Sequence, residues 1–376
     1  MNVILLYGGK SGEHEISLLS CASVIRNISP CHRVSLISIS KSGKWHLEEN
    51  SVLAEIRENP DAQLSVHEKP ENEVTVAFGG GKNAVFSARG TFIPCDIVIP
   101  VLHGTYGEDG TVQGLLEMAG VPFAGCGTLS SAASMDKETA KILFKAAGIK
   151  TVPSVCLSRA QINDSSLYDT LVENAVAQLG FPLFVKPCAA GSSDGASKAK
   201  NRRELSFALM EAFSWDDKVL IEKAIDAREV ECSVTGNSVC ASAEKPCTLL
   251  KSYGPGEIAP RHEFYDYDAK YKDPDGAELK IPAPLDEDSL AYIRETAKKA
   301  YRAVNASGLS RVDFFVERTT GEIFLNEINT MPGFTDISMF SKMCAADGLS
   351  FTELIDLLIE EGIAQHEEKQ KLRTSR

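Results

Sequence analysis

The sequence contains no run of about 18 apolar residues, which is the shortest length typical of a membrane-spanning helix. Its apolar N-terminal stretch, Val3–Leu6, leads directly into a glycine pair and is too short for a signal peptide. None of the 10 cysteines belongs to a Cys-x-x-Cys pair, which argues against a zinc site and a disulfide framework. We therefore predict a cytoplasmic protein with reduced thiols that is neither exported nor embedded in a membrane.

An excess of positive charge is also missing. The 39 Lys and Arg residues stand against 52 Asp and Glu residues, and the resulting net charge of −13 argues against a general nucleic-acid binder. A local basic pocket for a small anionic ligand remains compatible with that charge. The hydrophobic fraction of 43% and the charged fraction of 24% are ordinary for a globular protein and exclude collagen, coiled coil and extensive disorder.

The first third of the chain alternates between apolar runs and helical patterns. Val3–Tyr7, Val34–Ile39 and Asp96–Leu102 are typical of buried strands, and Glu13–Ile28 is typical of a helix. This alternation predicts an α/β fold with a parallel sheet, whose ligand-binding loops lie at the carboxyl ends of the strands. Residues 50–90 are polar and favour hairpins.

The chain is longer than the roughly 250–300 residues at which single cores tend to split, so two or three domains are expected. Gly, Thr and Ser cluster at residues 125–134, which indicates a domain boundary, and a second one is expected near Ala227. A frayed tail is expected over Gln365–Arg376. The predicted units are 1–127, 128–226, 227–366 and a flexible segment, 367–376.

Four polar side chains are expected to share one face of a β-hairpin. Side chains two apart on a strand point the same way, so Arg311 pairs with Asp313, and Glu327 with Asn329. A turn at residues 319–321 would place Asp313 opposite Glu327. Adjacent carboxylates repel unless a cation or proton separates them, and their hard oxygens suit Mg²⁺. The alternative is an exposed sheet face whose charges neutralise each other.

A second pattern is typical of phosphate binding. Lys186 ends an apolar strand and is followed by the Gly/Ser loop Gly191–Gly195, whose backbone N–H groups and hydroxyls could face a phosphate. The chain has no Walker A motif, because Ile4 stands where the leading glycine belongs before Gly9-Lys10-Ser11. An ordinary hairpin turn is the alternative interpretation of the Gly/Ser loop.

Three lysines at i, i+4 and i+8 form one stripe of a predicted helix over 136–147. For Lys141 and Lys145 the favoured interpretation is a solvated basic face. Lys137 lies in the first turn, beside the predicted boundary, and could reach a nucleotide.

Two further candidates lie in the N-terminal unit. Glu13 opens a helix directly after a glycine loop, where the helix dipole keeps a carboxylate ionised and ready to hold an ammonium group. Acidic residues are also common at helix starts for that reason alone. His103 ends a buried strand and enters a glycine-rich loop, a position that favours a functional role.

Taken together, these segments resemble the D-alanine–D-alanine ligases of the ATP-grasp superfamily, in family order along essentially the whole chain. The matching segments are Gly8–Ser17, Leu102–Gly104, Gly107–Gly110, Ser134–Lys137, Val185–Pro187, Gly191–Ser193, Leu220–Lys223, Phe264–Tyr271, Arg311–Asp313 and Asn326–Phe334. The resemblance implies an N-terminal α/β substrate domain, then a central and a C-terminal ATP-grasp subdomain of α+β character. It also implies a homodimer.

The implied reaction joins two D-alanines for peptidoglycan precursor synthesis, with ATP converting the first carboxylate into an acyl phosphate that the second amine attacks. Two Mg²⁺ ions, which Mn²⁺ could replace, would be held by Asp313, Glu327 and Asn329. The implied nucleotide-binding residues are Lys137, Lys186, Ser192, Ser193, Glu222, Lys223, Ile225, Glu229 and Lys270.

The resemblance also implies the residues that handle the two amino acids. Glu13 and His103 would lie at the first D-alanine, and Ser338 and Met339 at the second. Arg311 and the Gly333 N–H would stabilise the tetrahedral oxyanion. Tyr271 would bridge Ser192 and Glu13 and close a loop over the acyl phosphate, which water would otherwise hydrolyse.

Two features of the sequence depart from the pattern of this family. Ala189-Ala190 replaces residues that are commonly polar, and Asp194 replaces a small apolar residue, which would put an acid near the triphosphate.

D-serine or D-lactate could be the second substrate, although Tyr271 favours dipeptide formation over depsipeptide formation. A non-catalytic nucleotide-binding module is the remaining alternative.

Overall fold

The structure is a computed structural model that describes residues 1–81, 86–260 and 277–373. Lys270 and Tyr271 lie outside the described residues. The helices are α1 His14–Asn27, α2 Asn50–Glu58, α3 Thr111–Ala119, α4 Thr128–Met135, α5 Lys137–Ala146, α6 Arg159–Ile162, α7 Ser165–Leu179, α8 Arg202–Trp215, α9 Glu287–Ala303, α10 Met339–Ala346 and α11 Phe351–Gln370. In the described parts of the chain, none of these helices combines the length and apolar character that crossing a membrane requires.

Within the described residues, the strands form four sheets. They are β1 Asn2–Gly8, β2 Arg33–Ile39, β3 Trp45–Leu47, β4 Val74–Val76, β5 Phe86–Ala88, β6 Thr91–Ile93, β7 Ile97–Pro100, β8 Ser154–Ser158, β9 Leu183–Pro187, β10 Ser197–Ala199, β11 Lys218–Lys223, β12 Ala227–Asn237, β13 Lys251–Pro260, β14 Ala277–Lys280, β15 Ser307–Glu317 and β16 Ile323–Asn329.

The N-terminal sheet has the order β3-β2-β1-β7, and β1 pairs in parallel with both β2 and β7. The predicted parallel sheet is confirmed, with β3 as an antiparallel edge strand. Gly8 ends β1 at a φ of +91°, and a Cβ there would lie 2.3 Å from the carbonyl oxygen of Ile39. This close approach of two backbones explains the glycine at the start of the loop that leads to Glu13.

Residues 50–90 depart from the predicted hairpins. Asn50–Glu58 is helical, and only the later part forms strands, in the small antiparallel sheet β4-β5-β6. Val52 and Ile56 are one helical turn apart, and Ile56 is buried against the N-terminal core. This i, i+4 spacing of apolar residues inside a polar segment is what makes the helix amphipathic.

The remaining two sheets are antiparallel throughout, as expected for the α+β part of the fold. One has the order β10-β9-β11-β8 and is covered by α7 and α8. The other has the order β14-β13-β12-β15-β16 and is covered by α9. Side chains of both sheets line the same cleft.

One apolar cluster extends across the predicted domain limits. It joins Leu5 and Leu36 of the N-terminal sheet to Phe340 of α10 and to Leu354 and Ile355 of α11. The C-terminal helix is therefore packed on the N-terminal sheet, and the limits 1–127, 128–226 and 227–366 stay a prediction.

The predicted frayed tail begins too early. Helix α11 starts at a capping box formed by Ser350 and Glu353 and continues through Gln370. Its last turns are held by ion pairs from Lys245 to Glu367 and Glu368. These contacts come from a distant part of the chain, so the polar composition of residues 365–370 does not reveal them. Residues 374–376 lie outside the described residues.

Candidate active site

A cleft of about 1410 Å³ opens between the N-terminal sheet and the two antiparallel sheets. It is lined by all of the predicted site residues that the structure describes: Glu13, His103, Lys137, Lys186, Ser192, Ser193, Glu222, Lys223, Ile225, Glu229, Arg311, Asp313, Glu327, Asn329, Gly333, Ser338 and Met339. These residues come from separate stretches of the sequence and all three predicted units.

The β15–β16 hairpin has the predicted register. Arg311 lies opposite Asn329 and Asp313 opposite Glu327. The Arg311 guanidinium donates to both carboxylate oxygens of Asp313 at 2.7 Å and lies 3.1 Å from Glu231 on β12. Asn329 Nδ2 also donates to Asp313, at 2.9 Å. Burial disfavours the charge of Arg311, but Asp313 and Glu231 outweigh this effect and raise its pKa well above the usual value.

The donor set of the hairpin fits a hard divalent cation. Asp313, Glu327 and Asn329 offer two carboxylates and a carboxamide oxygen on one face of a rigid sheet. In the described part of the chain, no three His, Cys, Asp or Glu side chains gather with metal-binding geometry. Beyond these three side chains, a cation at the hairpin could take ligands from water or phosphate, as Mg²⁺ commonly does.

Lys186 belongs to a buried charge cluster, which we define as Lys141, Glu222 and Lys186. The carboxylate of Glu222 lies 2.5 Å from Lys141 Nζ through Oε1 and 2.8 Å from Lys186 Nζ through Oε2. Burial opposes ionisation of Glu222, yet Lys186 and Lys141 outweigh it and lower its pKa. Lys186 also donates to Asn326 Oδ1 at 3.2 Å.

The predicted solvated face for Lys141 is wrong, because only 2% of this residue is exposed. Lys145, one turn further along α5, is exposed as predicted. Lys137 faces the cleft, donates to the carbonyl oxygen of Ala190 at 2.7 Å and lies 3.9 Å from Glu327. The three lysines therefore have three different environments. On an α-helix, side chains four residues apart differ in direction by about 40°. Three lysines spaced in this way can therefore face a cleft, the interior and solvent in succession.

The Gly/Ser loop is docked on the N-terminal domain. Ser192 donates a hydrogen bond to Glu13 Oε1. Ser192 and Ser193 have φ values of 49° and 63°, so two successive non-glycine residues are in the left-handed region. Asp194 Oδ2 lies 3.7 Å from the position of a Cβ on Gly12, so this acid faces the N-terminal loop. Burial, followed by the nearby Glu13, raises the pKa of Asp194.

His103 connects the N-terminal sheet to the loop after β16. Its Nδ1 lies 3.0 Å from the carbonyl oxygen of Met331, which can only accept, so Nδ1 carries the proton. Its Nε2 lies 2.9 Å from the hydroxyl of Ser20. Burial lowers the pKa of His103, so the ring is neutral at pH 7. His103 lines the cleft, but both of its ring nitrogens are engaged by the protein itself.

Sequence reasoning assigned no role to Glu108, which also lines the cleft. Glu108 accepts the N–H of Gly104 at 3.0 Å. Burial, followed by the charge of Glu13, raises its pKa to about 8, which favours the neutral carboxyl near pH 7. The signal was present in the acidic pair within Gly107-Glu108-Asp109-Gly110, but only the fold shows that Glu108 turns inward whereas Asp109 caps the loop through Tyr106 and Thr111.

At the other end of the cleft, Gly333 and Ser338 approach each other. A Cβ on Gly333 would lie 3.4 Å from Ser338 Oγ, which bonds to the backbone N–H of Thr335 at 3.2 Å. Ser338 precedes α10, and Met339 opens that helix with 6% of its surface exposed. A hydroxyl at a helix start and a thioether wall can hold a small carboxylate.

Two family models match successive parts of the chain, and full-length relatives belong to the same family. The model for the D-ala D-ala ligase N-terminus matches residues 2–126, and the model for the D-ala D-ala ligase C-terminus matches residues 143–360. The D-alanine–D-alanine ligase of Treponema denticola is 50% identical over 376 residues, with 100% of both chains covered. That of Thermoanaerobacter pseudethanolicus is 42% identical over 374 residues, covering 98% of each.

Solved structures of related ligases are similar to this chain over nearly its whole length. The D-alanine–D-alanine ligase from Coxiella burnetii is 33% identical with a TM-score of 0.81, covering 99% of this chain and 96% of that one. The VanG D-Ala:D-Ser ligase from Enterococcus faecalis is 36% identical with a TM-score of 0.79, covering 96% and 99%. The predicted α/β fold of the ATP-grasp type is confirmed, and the chain belongs to the D-alanine–D-alanine ligase family.

Proposed function

We propose that this enzyme ligates two D-alanines to D-alanyl-D-alanine at the expense of ATP, through an acyl-phosphate intermediate, for peptidoglycan precursor synthesis. The observation that carries the proposal is the meeting of Glu13, Lys186 and Asp313 in one cleft, with Glu13 joined to the Gly/Ser loop by Ser192. An ammonium anchor, a phosphate-binding lysine and a set of hard oxygen ligands then act on the same bound substrates.

The nucleotide would occupy the part of the cleft between the two antiparallel sheets. Lys137 and Lys186 would hold its α- and β-phosphates beside the hydroxyls of Ser192 and Ser193, and Lys270 would meet the γ-phosphate. The adenosine would be framed by Glu222, Lys223, Ile225 and Glu229, all of which line the cleft.

The hairpin would hold two Mg²⁺ ions, or Mn²⁺ in their place, through Asp313, Glu327 and Asn329. When bound, these ions would supply neutralisation of the charge that develops on the phosphate oxygens. Arg311 lies beside these side chains, held by Asp313 and by Glu231. Its guanidinium, together with the Gly333 N–H, would stabilise the oxyanion formed when the second amine attacks.

Glu13 would hold the ammonium of the first D-alanine, with His103 beside this substrate. Ser338 would bind the carboxylate of the second D-alanine, and Met339 would form a wall of its pocket. Closure of the Gly/Ser loop onto Glu13, with Tyr271 as a bridge, would exclude water from the acyl phosphate. The existing hydrogen bond between Ser192 and Glu13 supports this closure.

D-serine as second substrate is the alternative that a specific observation favours, because the VanG D-Ala:D-Ser ligase is 36% identical and covers most of the chain. A phosphate-release assay with ATP, Mg²⁺ and D-alanine, repeated with D-serine and D-lactate added, separates the candidates. We expect dipeptide from D-alanine alone, identified by mass spectrometry. A clear preference for D-serine or D-lactate would overturn the substrate assignment, and ATP binding without turnover would point to a non-catalytic module.

The proposal extends to the setting of the enzyme. We place it in the cytoplasm, where ATP is available, and the free thiol state of all 10 cysteines is consistent with a reducing compartment. A homodimer is the expected assembly, and the molar mass in solution tests it: a mass near 40.7 kDa would contradict the dimer.

A further inference from the structure

Lys141 is a buried cation that does not line the cleft. It lies one helical turn after Lys137 on α5, is 2% exposed, and donates to the carbonyl oxygen of Val152 at 3.1 Å. Its ammonium also lies 2.5 Å from Glu222 Oε1. A buried lysine is costly without a partner, so the position of this side chain depends on Glu222.

Glu222 divides its two oxygens between two lysines. Oε1 faces Lys141, whereas Oε2 faces Lys186, at 2.8 Å. The buried charge cluster therefore carries two positive charges and one negative charge. Lys141, which does not line the cleft, neutralises the Glu222 carboxylate. The positive charge of Lys186, which does line the cleft, therefore remains as the net charge of the cluster.

Without Lys141, the cluster would change its electrostatic character. Lys186 and Glu222 would form a pair with no net charge in a poorly solvated place, and such a pair attracts phosphate far less than a free ammonium does. A nearby anion would then meet the carboxylate as well as the ammonium. Lys141 is not among the residues that line the cleft, whereas Glu222 is, so Lys141 acts through Glu222 and not by contact.

We propose that Lys141 is a positioning residue for nucleotide binding, which neutralises Glu222 and so keeps the positive charge of Lys186 available to the phosphates of ATP. This inference rests on the proposed function only in taking ATP as the ligand of Lys186. It explains why one carboxylate in a nucleotide site is enclosed by two lysines, and why a helix with an exposed Lys145 buries Lys141.

The test is the affinity for ATP with Mg²⁺, measured by calorimetry in the absence of D-alanine, together with KM and kcat. Lys141→Met keeps the length of the side chain and removes its charge. We expect the dissociation constant and the KM for ATP to rise about 10-fold or more, as loss of a charge-assisted interaction does. The KM for D-alanine should stay within about twofold, since its site is not part of the cluster.

The control on the same helix is Lys145→Met, which removes an exposed charge and should change ATP affinity by less than about twofold. Lys141→Gln is a second variant, which keeps a hydrogen-bond donor without the charge and should show the same loss as Lys141→Met. It remains informative where the methionine variant fails to fold, as judged by circular dichroism.

The double variant Lys141→Met, Glu222→Gln separates charge from packing. It is compared with Glu222→Gln alone: once the carboxylate is uncharged, adding Lys141→Met should change ATP affinity by less than about threefold. A double variant that binds ATP about 10-fold more weakly than Glu222→Gln alone would show that Lys141 is structural. Wild-type affinity in Lys141→Met or Lys141→Gln would also overturn the inference.

These outcomes are distinguishable from failure of the proposed function. If the wild type binds ATP but forms no dipeptide, the ligase assignment fails while the binding cycle still tests Lys141. If the wild type forms dipeptide and the Lys141 variants bind ATP normally, the inference alone fails.

Discussion

The N-terminal parallel sheet and the antiparallel sheets position their site residues in different ways. In the parallel sheet, Glu13 and His103 follow the carboxyl ends of β1 and β7 and lie in loops or at a helix start. In the antiparallel sheets, Lys186 and Asp313 lie on the strands themselves. A strand fixes the direction of a side chain through its pleat, whereas a loop residue depends on what the loop contacts.

The hydrogen-bond partners of the strand residues and of the loop residues show this difference. Asp313 is held by Arg311 of its own strand, two residues away, and by Asn329 of the neighbouring strand. Glu13 and His103 instead bond across the cleft to the Gly/Ser loop and to Met331. We therefore expect hairpin variants to affect chemistry directly, and variants of the N-terminal loops to affect substrate binding and closure.

The largest effect is expected at the hairpin. Replacing Arg311 with Ala should lower kcat by about 10²-fold or more, because it removes a charged donor for the developing oxyanion. The KM for ATP should stay similar, which steady-state kinetics at saturating D-alanine can measure. Arg302→Ala, an exposed arginine at the end of α9, is the matched control and should be active. Near-normal turnover of the Arg311 variant would mean that this residue is structural.

A smaller effect of another kind is expected on the loop side. Glu13→Gln keeps an acceptor for Ser192 and removes the charge that would hold the ammonium, so the KM for the first D-alanine should rise about 30-fold. ATP affinity should change little. The control is Glu15→Gln, two residues away, whose exposed carboxylate pairs with Lys41 at 2.5 Å and is expected to matter little. An equal loss in both variants would contradict the role of Glu13.

The third prediction concerns stability at the junction of α11 with the antiparallel sheet. Glu361 is 1% exposed and accepts a hydrogen bond from Asn237 Nδ2 at 2.9 Å. Burial raises its pKa from the usual 4.5 to about 7. Folding therefore favours the protonated carboxyl. Its contribution to the free energy of unfolding is fully present below pH 4.5 and is lost as the pH rises through 7.

Glu361→Gln removes this titration and keeps an acceptor for Asn237. Its free energy of unfolding relative to the wild type should increase by about 2 kcal/mol between roughly pH 5 and pH 8. Urea unfolding of both proteins at the two pH values measures the difference. A constant difference across this range would show that Glu361 is ionised in the folded state throughout.

The hairpin could be predicted from the sequence because its information is local. Arg311, Asp313, Glu327 and Asn329 follow a period of two on each side of a recognisable turn, and backbone pairing then aligns them. The parallel sheet could be predicted for a similar reason, since its strands are apolar throughout and alternate with helices.

Other features depend on contacts between distant segments. Lys141 has the same spacing pattern as Lys145, and only the approach of Glu222, 81 positions along, buries one and leaves the other exposed. Glu108 similarly turns inward beside Glu13 of another loop. The last turns of α11 are stabilised by Lys245, although their polar composition resembles that of a tail.

The parallel sheet of the N-terminal unit and the register of the β15–β16 hairpin were determined by the sequence alone, because pleat, helical period and turn residues act over a few positions. Tertiary structure decided which charges are buried, which acids are protonated, and how Glu13 meets Ser192. Desolvation and charge pairing depend on what surrounds a group in space, and those surroundings come together only when all the sheets have packed.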